Sequence, residues 1–420
     1  MINTHWRRHP LSGLTLAVIL TLLAIQQLAV GGEASGSPGA AAASASNYRF
    51  GLRLSSRLGR SQPNVNVAVS PVLVQAALGL LYAGTDPDSA AARELRDVLD
   101  LQHAGSPRQA LSGLRELLAE LKQSSAVGCR LRLLSDFYTL QRFTFNYRDE
   151  FQALAAQMGV GSHRLDWETP ASAAQVINYD FLSRSNYSVG ELVSASQLET
   201  ISEHDTPFLH VSAVTFRAPW AQSFDPDETQ RINFFSEGQR PKLVEAMFGQ
   251  HRFRYAEVAA LDAELIELPF ATADLRLLLI FPRRADGLSE LEQQLGKYDL
   301  QYLRGQMQER KIALTLPKFQ VLVHAQLAKV LKESGLTRLF TAEAQLSEVF
   351  SSLLASSAPH LGEMAQSTLL ELQEEGGSAG DSFSFGDLFR RALPLVINHP
   401  FFYAIGNDKT LLLAGHIVDI

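Results

Sequence analysis

The order of the predicted secondary structure favours an α+β fold in a single domain. Helical patterns come first along the chain, and short apolar runs typical of strands dominate its later part. The two kinds of element do not alternate regularly, which argues against a doubly wound parallel sheet. Of the 420 residues, 46% are hydrophobic and 19% are charged, so the chain can bury a large core.

The individual elements are predicted from apolar periodicity. Residues 72–82 are apolar almost all round and predict a fully buried helix that Gly84 ends. Leucines recur on one helical face over residues 111–121, and residues 327–336 predict another helix that stops at Gly335. Strands are predicted at residues 131–140, 209–216, 264–270, 275–281, 312–319, 368–372 and 395–397.

The N-terminus has the pattern of a secretory signal. Basic residues and histidines at positions 5–9 precede an apolar run over residues 11–25, and small residues follow at 29–32. We expect residues 1–32 to be a signal peptide cleaved near residues 29–32, and the protein to be secreted and extracellular. An uncleaved signal anchor is the alternative, because residues 11–30 nearly span a bilayer. Gln26 and Gln27 interrupt the run and favour cleavage, and no other segment predicts stable membrane insertion.

The residues after the signal predict a linker, and the domain is expected to run from residue 48 to residue 420. Residues 33–47 are nearly all Gly, Ala, Ser and Pro, which is typical of a solvated, disordered segment. Asn186 begins the sequon Asn-Tyr-Ser and is the predicted glycosylation site, although such triplets also arise by chance. Cys129 is the single cysteine, so it forms no intramolecular disulfide, and we expect it to be a buried apolar side chain.

Several classes of function are disfavoured. A net charge of −7 argues against nucleic acid as a partner. The 11 histidines are scattered without metal-binding spacing, so no metal or other cofactor is expected. Residues 376–380 match the G-x-S-x-G pattern of hydrolases, but the residues that follow cannot begin the required helix, so no catalytic residue is predicted.

Residues 368–402 contain the strongest functional signal. Two strand-like segments flank a run of small and acidic residues at 374–382, and Phe389, Arg390 and Arg391 follow it. Long connections without regular structure are uncommon in compact domains and tend to be functional. An acidic, flexible segment that leads to Phe-Arg-Arg is suited to be cleaved by a protease. The alternative is that Arg390 and Arg391 are only a solvated basic pair.

Motifs across the chain resemble those of serpins. Asn-Val-Ala-Val-Ser-Pro at residues 66–71 resembles the opening strand of the family, and residues 211–220 resemble a strand of its main sheet with the Trp signature. Leu-Thr-Leu-Pro-Lys-Phe at 314–319, Pro-Phe-Phe-Tyr at 400–403 and the segment 413–418 follow in the family's order. The sequence is similar to serpins from about residue 48 to residue 420. The resemblance implies helices clustered around three β-sheets, with an exposed reactive-centre loop at about residues 374–396.

The resemblance also implies a mechanism and a set of sites. An inhibitory serpin is cleaved and acylates its protease, and the N-terminal half of its loop then inserts into the main sheet. Counting from the hinge motif at Glu374 places Arg390 before the scissile bond and Arg391 after it, and cleavage after Phe389 or Arg391 stays an alternative. An Arg at this position suits a trypsin-like serine protease. The hinge residues are Glu374, Glu375, Gly376, Gly377, Ala379, Asp381 and Phe383.

Four positions correspond to the shutter under the hinge, and three of them depart from the family. Ser70 is retained, whereas Leu73, Ser212 and Gln366 stand where the family has Ser, Asn and His. Ser212 and Gln366 are still expected to be able to hydrogen-bond one another. Such departures are expected where selection for loop insertion has relaxed.

The hinge departs from the family as well. Gly377, Ala379, Asp381 and Phe383 would share the inward face of an inserted strand, where the family has small residues. A buried, unpaired Asp381 is costly, and Gly377 and Gly380 weaken a strand. Two hypotheses therefore stay open: a suicide-substrate inhibitor, and a non-inhibitory serpin that acts as a binding, carrier or signalling protein.

The remaining expectations concern partners. Some serpins bind heparin-like polyanions in the region that here contains Arg108, Arg115, Lys122, Arg130 and Arg132. Acidic residues and a leucine stripe interrupt these cations, so polyanion binding is disfavoured relative to a solvated helix face. The protein is expected to be a monomer.

Overall fold

Helices lead along the chain and strands dominate after them, as the sequence predicts. The structure is a computed structural model that describes residues 38–123, 128–140, 145–165, 169–202, 207–236, 240–272, 274–352, 358–376 and 392–420. The α-helices are α1 (Pro38–Ser61), α2 (Pro71–Ala83), α3 (Ala90–Val98), α4 (Pro107–Gln123), α5 (Asp149–Met158), α6 (Pro170–Arg184), α7 (Ala195–Ser202), α8 (Leu288–Leu295), α9 (Leu300–Gly305) and α10 (Ala328–Glu333).

The strands account for most of the second half. They are β1 (Val67–Val69), β2 (Arg130–Leu140), β3 (Phe145–Tyr147), β4 (Gly161–Leu165), β5 (Pro207–Arg217), β6 (Gln230–Phe234), β7 (Lys242–Val258), β8 (Ala263–Pro269), β9 (Arg276–Pro282), β10 (Gln308–Pro317), β11 (Phe319–Gln326), β12 (Phe350–Ser352), β13 (His360–Leu372), β14 (Leu393–Val396), β15 (Phe401–Gly406) and β16 (Leu411–Ile417). The predicted strand at 312–319 is in fact the end of β10 and the start of β11, separated at Lys318.

The described strands form three sheets, and the five-stranded sheet positions the candidate site. Its order is β11-β13-β5-β2-β4. A nine-stranded sheet runs β1-β16-β15-β9-β8-β7-β10-β14, with β6 paired to β7, and a small sheet pairs β12 with β3. Helices and mixed sheets that do not alternate confirm the α+β class.

The five-stranded sheet is covered on both faces. Phe208, Val214 and Leu370 belong to the main hydrophobic core on one side of it. On the other side, Ile177 and Phe181 of α6 form a second cluster with residues of β5, β2 and α7. Because both faces are apolar, β5 is buried along nearly its whole length, which explains why it reads as a continuous apolar run.

The predicted buried helix is α2. Every residue from Pro71 to Tyr82 is buried, so the all-round apolar pattern is explained by contacts on every side. The predicted stop at Gly335 is also confirmed. Gly335 has a φ of +104°, and the amide of Leu336 donates to the carbonyl of Leu331 at 3.0 Å, which is how a glycine closes a helix C-terminus.

The expectation of a disordered linker is wrong for residues 38–47, because they form the first part of α1. Ala43 is fully buried, and Ser46 donates to the carbonyl of Leu99 at 2.7 Å. A Cβ added to Gly113 of α4 would lie 2.4 Å from the carbonyl oxygen of Gly39, so small residues allow the two helices to approach closely. The small residues that suggested solvation are therefore part of a tight helix–helix contact.

The predicted signal peptide at residues 1–32 lies outside the described residues. Within the part of the chain that the structure describes, no helix is long and apolar enough to cross a membrane.

Candidate functional site: the β5–β13 boundary and the hinge

The centre of the candidate site is the boundary between β5 and β13 in the five-stranded sheet. These two strands are parallel neighbours, and their pairing runs from His360 opposite Pro207 to Glu371 opposite Arg217. A register shift between Leu361 and Glu363 interrupts the ladder near its start. A segment that leaves β13 and turns back would run antiparallel to both strands. It could form a new strand between them only if the two strands separate.

Polar side chains join the two strands at the middle of this boundary. The side-chain amide of Gln366 on β13 donates to Ser212 Oγ on β5 at 3.0 Å. Gln366 Oε1 accepts the backbone amide of Ser70, which is the N-cap of α2. The hydrogen bond expected between Ser212 and Gln366 is therefore present, and Gln366 also ties the sheet to the helix beneath it.

The other predicted shutter residues contribute differently. Leu73 is 3% exposed and packs in the main core, so an apolar contact stands where the family has a serine. Ser70 Oγ is buried without a hydrogen-bond partner among the described residues. The shutter is thus held by Gln366 and by apolar packing.

A second buried polar pair, which sequence reasoning missed, lies one strand further along. His210 Nε2 on β5 is 2.8 Å from Ser135 Oγ on β2. Burial lowers the pKa of His210 to about 3, although Asp136 opposes this shift, so the imidazole is neutral near neutral pH. His210 lies in a largely apolar strand, where a buried polar residue is a weak sequence signal. Ser135 lies beside Asp136 in a strand that also contains two arginines, so it has no such signal.

The hinge begins where β13 ends, and its backbone is fixed. The backbone amide of Trp220 donates to the carbonyl of Glu375 at 2.8 Å, and that of Phe224 donates to the carbonyl of Glu374 at 3.2 Å. The Trp220 indole also donates to the carbonyl of Gln373 at 2.6 Å. The Trp that the sequence singled out is therefore the residue against which the hinge is docked.

Charged side chains reinforce this docking. Lys318 Nζ lies 3.0 Å from the Glu374 carboxylate, which also accepts from Thr229 Oγ1 at 2.9 Å. Burial raises the pKa of Glu374, but the hydrogen bonds from Lys318 and Thr229 outweigh it and hold this pKa below its usual value. Arg217 at the end of β5 binds Glu375 at 2.7 Å and so joins β5 to the hinge.

Gly376 is required by space. A Cβ added there would lie 2.6 Å from Ser223 Cα and 2.8 Å from the carbonyl oxygen of Trp220, both of which are backbone atoms that cannot give way cheaply. The acidic-Gly pattern at the hinge therefore has a physical reason: two carboxylates for Lys318 and Arg217, and a glycine for the close approach.

Residues 377–391 of the predicted loop lie outside the described residues, whereas its last four residues form the strand β14 and do not belong to a loop. Residues 377–391 contain Gly377, Ala379, Gly380, Asp381 and Phe383 of the hinge, and the predicted reactive bond between Arg390 and Arg391. The chain is described again from Ala392, and Leu393 of β14 pairs with Ile312 of β10 in the nine-stranded sheet. The 15 residues from 377 to 391 thus connect the hinge after β13 of the five-stranded sheet to β14, an edge strand of the nine-stranded sheet.

Helix α6 lies over the five-stranded sheet and is bound to it by charge. Arg184 at its end lies 2.7 Å from Asp136 of β2 and 2.7 Å from Asp180. Asp136 is 2% exposed and also contacts His163 of β4 at 3.2 Å. Burial raises the pKa of Asp136, but the bonds from His163 and Arg184 outweigh it and lower this pKa overall.

The comparisons with known proteins agree with this geometry. The model of the family described as "Serpin (serine protease inhibitor)" matches residues 45–420. The chain belongs to the serpin family. The chain is 25% identical to Serine protease inhibitor 42Dd of Drosophila melanogaster, covering 86% of this chain and 93% of that protein. It is 27% identical to Iripin-2 of Ixodes ricinus, covering 87% and 89% respectively.

A solved structure supports the fold. Serpin48 of the insect Tenebrio molitor superposes with a TM-score of 0.76 at 23% identity, covering 90% of this chain and 98% of that one. In this serpin, then, the main sheet is the five-stranded one. Its central strand, β5, is paired directly to β13.

The predicted glycosylation site is accessible in this serpin. Asn186 follows the end of α6, is exposed, and has a φ of +59°. Ser188, the third residue of the sequon, donates to the carbonyl of Asn186 at 3.4 Å. The exposed position is compatible with a glycan, and modification of Asn186 stays a prediction.

Other sequence expectations are refined by the structure. Arg130 and Arg132 lie on β2 and not on a helix face with Arg108, Arg115 and Lys122. Cys129 is half-buried against the main core, and burial raises the pKa of its thiol. Among the described residues, no group of three or more His, Cys, Asp or Glu side chains could hold a metal ion.

The sequence did not identify Arg217, Arg184 or Asp136. Arg217 ends an apolar strand, which is a weak but usable signal. Asp136 and Arg184 belong to elements that contain other charged residues, so they do not stand out. Arg184 and Asp136 are 48 positions apart, and Arg217 and Glu375 are 158 positions apart, so only the fold brings these two pairs together.

Proposed function

We propose that this serpin is a secreted suicide-substrate inhibitor of a trypsin-like serine endopeptidase, with Arg390 before the scissile bond. The observation that carries the proposal is the β5–β13 boundary with the hinge docked at its end. Two parallel strands without an intervening strand, and a tethered connection at residues 377–391, are the arrangement that loop insertion needs.

The chemistry follows from cleavage at this bond. The protease serine attacks the carbonyl carbon of Arg390, the peptide bond to Arg391 breaks, and Arg391 leaves with a free amino group. Arg390 is then joined to the protease as an ester. The freed segment from Gly377 to Arg390 can enter between β5 and β13 and form backbone hydrogen bonds with both, carrying the protease along.

The choice of protease rests on the side chain at residue 390. A guanidinium before the scissile bond suits proteases whose specificity pocket contains a carboxylate, as that of trypsin does. Cleavage after Phe389 would favour an aromatic pocket, and cleavage after Arg391 would keep the trypsin-like preference. Sequencing the new N-terminus after cleavage distinguishes these three bonds.

A non-inhibitory binding or carrier serpin is the second candidate, and the sequence of the hinge favours it. Asp381 and Phe383 would have to enter the inner face of a sheet that is apolar on both sides. Burying an unpaired carboxylate costs several kcal/mol, which works against insertion. The bond between Ser212 and Gln366 further holds the boundary closed.

A denaturing gel tests the proposal. The protein is mixed with trypsin-like serine proteases, and a covalent band at the summed mass is the expected result. An Arg390→Ala variant is the control, and it should form no such band with the same protease. Clean cleavage after Arg390, with full protease activity left, would establish the substrate behaviour of the non-inhibitory candidate.

Secretion and glycosylation are proposed together. Expression with the native N-terminus should yield protein in the medium that begins near residues 30–33. Treatment with an amidase that removes N-linked glycans should lower its mass, and an Asn186→Gln variant should not respond. Protein retained in the cell with its N-terminus intact would instead indicate the signal anchor.

A further inference from the structure

A cleft between α1, α3 and the end of α10 lies outside the protease-related site. Its volume is about 530 Å³, within the range of about 300–1,000 Å³ that small-molecule pockets have. Phe50 and Leu54 of α1 are buried and line the cleft together with Ala90 and Val98. Ser334 and Gly335 line it at the end of α10.

The charged residues of this cleft are unbalanced. Its lining contains four arginines (Arg53, Arg57, Arg93 and Arg338) and two carboxylates (Glu94 and Asp97). Arg53 and Arg57 lie one turn apart on the same face of α1, and Arg93 belongs to α3. The lining therefore has a formal charge of +2.

Both carboxylates already have partners. Glu94 binds the guanidinium of Arg338 and accepts the backbone amides of Thr337 and Arg338 at 2.7 and 2.8 Å. Asp97 lies 3.4 Å from Arg96, which does not line the cleft. Neither of these two carboxylates forms an ion pair with Arg53, Arg57 or Arg93.

The three remaining arginines have no carboxylate within ion-pair distance in the described ranges. Arg53 donates to the carbonyl of Val98 at 3.3 Å, and Arg57 donates to Ser334 Oγ at 2.6 Å. Burial lowers the pKa of Arg53, and the neighbouring Arg49 and Arg57 add to this effect while Asp100 opposes it. A partly desolvated guanidinium among like charges is stabilised when an anion enters.

We propose that this cleft binds a small, multiply charged oxyanion, namely a phosphate or sulfate ester. Guanidinium groups bind the oxygens of such esters in a bidentate manner, and Arg53, Arg57 and Arg93 offer donors from two helices. The apolar floor at Phe50 and Leu54 suits the organic part of the ester. Phosphate and sulfate share the recognition chemistry, so the source is decided by experiment.

Titration calorimetry at low ionic strength tests the site, with pyrophosphate and sucrose octasulfate as separate probes. The Arg53→Gln and Arg93→Gln variants should weaken binding by about tenfold or more, because each removes a charge-assisted contact. Arg108→Gln, an exposed arginine of α4 outside the cleft, removes the same charge and should leave affinity within about twofold. Arg53→Gln should fold normally, since Arg53 has no ion pair to lose.

Each outcome decides the matter. Binding of either probe that is lost in both cleft variants and kept in Arg108→Gln supports the site, and the probe that binds shows whether phosphate or sulfate oxygens are recognised. No binding of either probe to the wild type overturns the proposal. Equal weakening in all three variants also overturns it, because the effect would then be one of net charge and not of the cleft.

Discussion

At the scale of single residues, the main sheet is bound to its covering helix by a carboxylate that is almost completely buried. Asp136 contacts Arg184 of α6, and these contacts outweigh the burial that would otherwise raise its pKa. A buried carboxylate whose partner is removed is more costly than one that was never buried. The pair therefore holds α6 in place over β2, next to the strands that loop insertion would separate.

Replacing Arg184 with Gln should lower the free energy of unfolding by about 1–3 kcal/mol at pH 7. This range is below that for a fully buried ion pair, because Arg184 reaches solvent and its charge is partly screened. The pKa of Asp136 is lower folded than unfolded, so its contribution is present above the unfolded value of about 4 and is lost as pH falls through the folded value. The difference between wild type and variant should shrink on acidification. Urea unfolding midpoints at pH 7, 5 and 3.5 measure it.

The matched control for this change is Arg108→Gln, which removes an exposed arginine with little effect on stability. A difference between wild type and Arg184→Gln that is constant from pH 7 to pH 3.5 would show that Asp136 is not responsible.

At the scale of elements, the decisive contact is the one between β5 and β13. Their boundary must open for insertion, yet Gln366 joins both strands and the N-terminus of α2. A buried polar group that loses its hydrogen-bond partner is costly in an apolar sheet. A single side chain can therefore set how readily this boundary opens.

Replacing Gln366 with Ala should destabilise the protein by about 2–4 kcal/mol, because Ser212 Oγ and the Ser70 amide lose a buried partner. The midpoint of thermal unfolding by circular dichroism should fall accordingly. Gln320→Ala provides the control, since Gln320 is exposed on β11 of the same sheet. If both variants unfold at the temperature of the wild type, the bond to Gln366 does not hold the boundary.

The loop itself is the second element whose behaviour can be tested. Replacing Asp381 with Ala should raise the ratio of covalent complex to cleaved serpin, because a carboxylate would no longer have to enter the sheet. Ser382→Ala is the matched control, because alternate residues of a strand point to opposite faces. The ratio is measured by densitometry of denaturing gels. An unchanged ratio in Asp381→Ala would show that this carboxylate does not limit insertion.

At the scale of the whole molecule, the sequence predicted the fold well because its signals are local. The all-round apolar pattern of residues 72–82 and the helix stop at Gly335 are each decided by neighbouring residues. The segment 38–47 was misassigned because Ala, Gly and Ser are typical both of linkers and of closely packed helices. Only its distant partner, Gly113 on α4, distinguishes the two.

The candidate site was predictable in position but not in its contacts. The hinge motif located Glu374 to Gly376, whereas the ion pair of Glu374 with Lys318 joins residues 56 positions apart. The sequence predicted the hydrogen bond between Ser212 and Gln366. It did not predict the third member of this group, the backbone amide of Ser70, because the identity of a side chain does not show which partner a backbone amide has. Long-range contacts of this kind depend on the register of the strands.

Whether the molecule stores free energy in its sheet is the property on which inhibition depends. If the loop inserts after cleavage, the main sheet gains a strand, and the cleaved protein should unfold at a higher temperature. We expect a rise of about 5 °C or more. For a large domain a gain of about 1 kcal/mol in stability shifts the midpoint by about 2–4 °C or less, so this rise corresponds to a gain of a few kcal/mol. Thermal unfolding before and after limited cleavage in the loop measures this. An Ala379→Arg variant, whose charge would point into the sheet, should be cleaved without any gain. An equal midpoint before and after cleavage of the wild type would show that the loop stays outside the sheet and would favour the binding or carrier serpin.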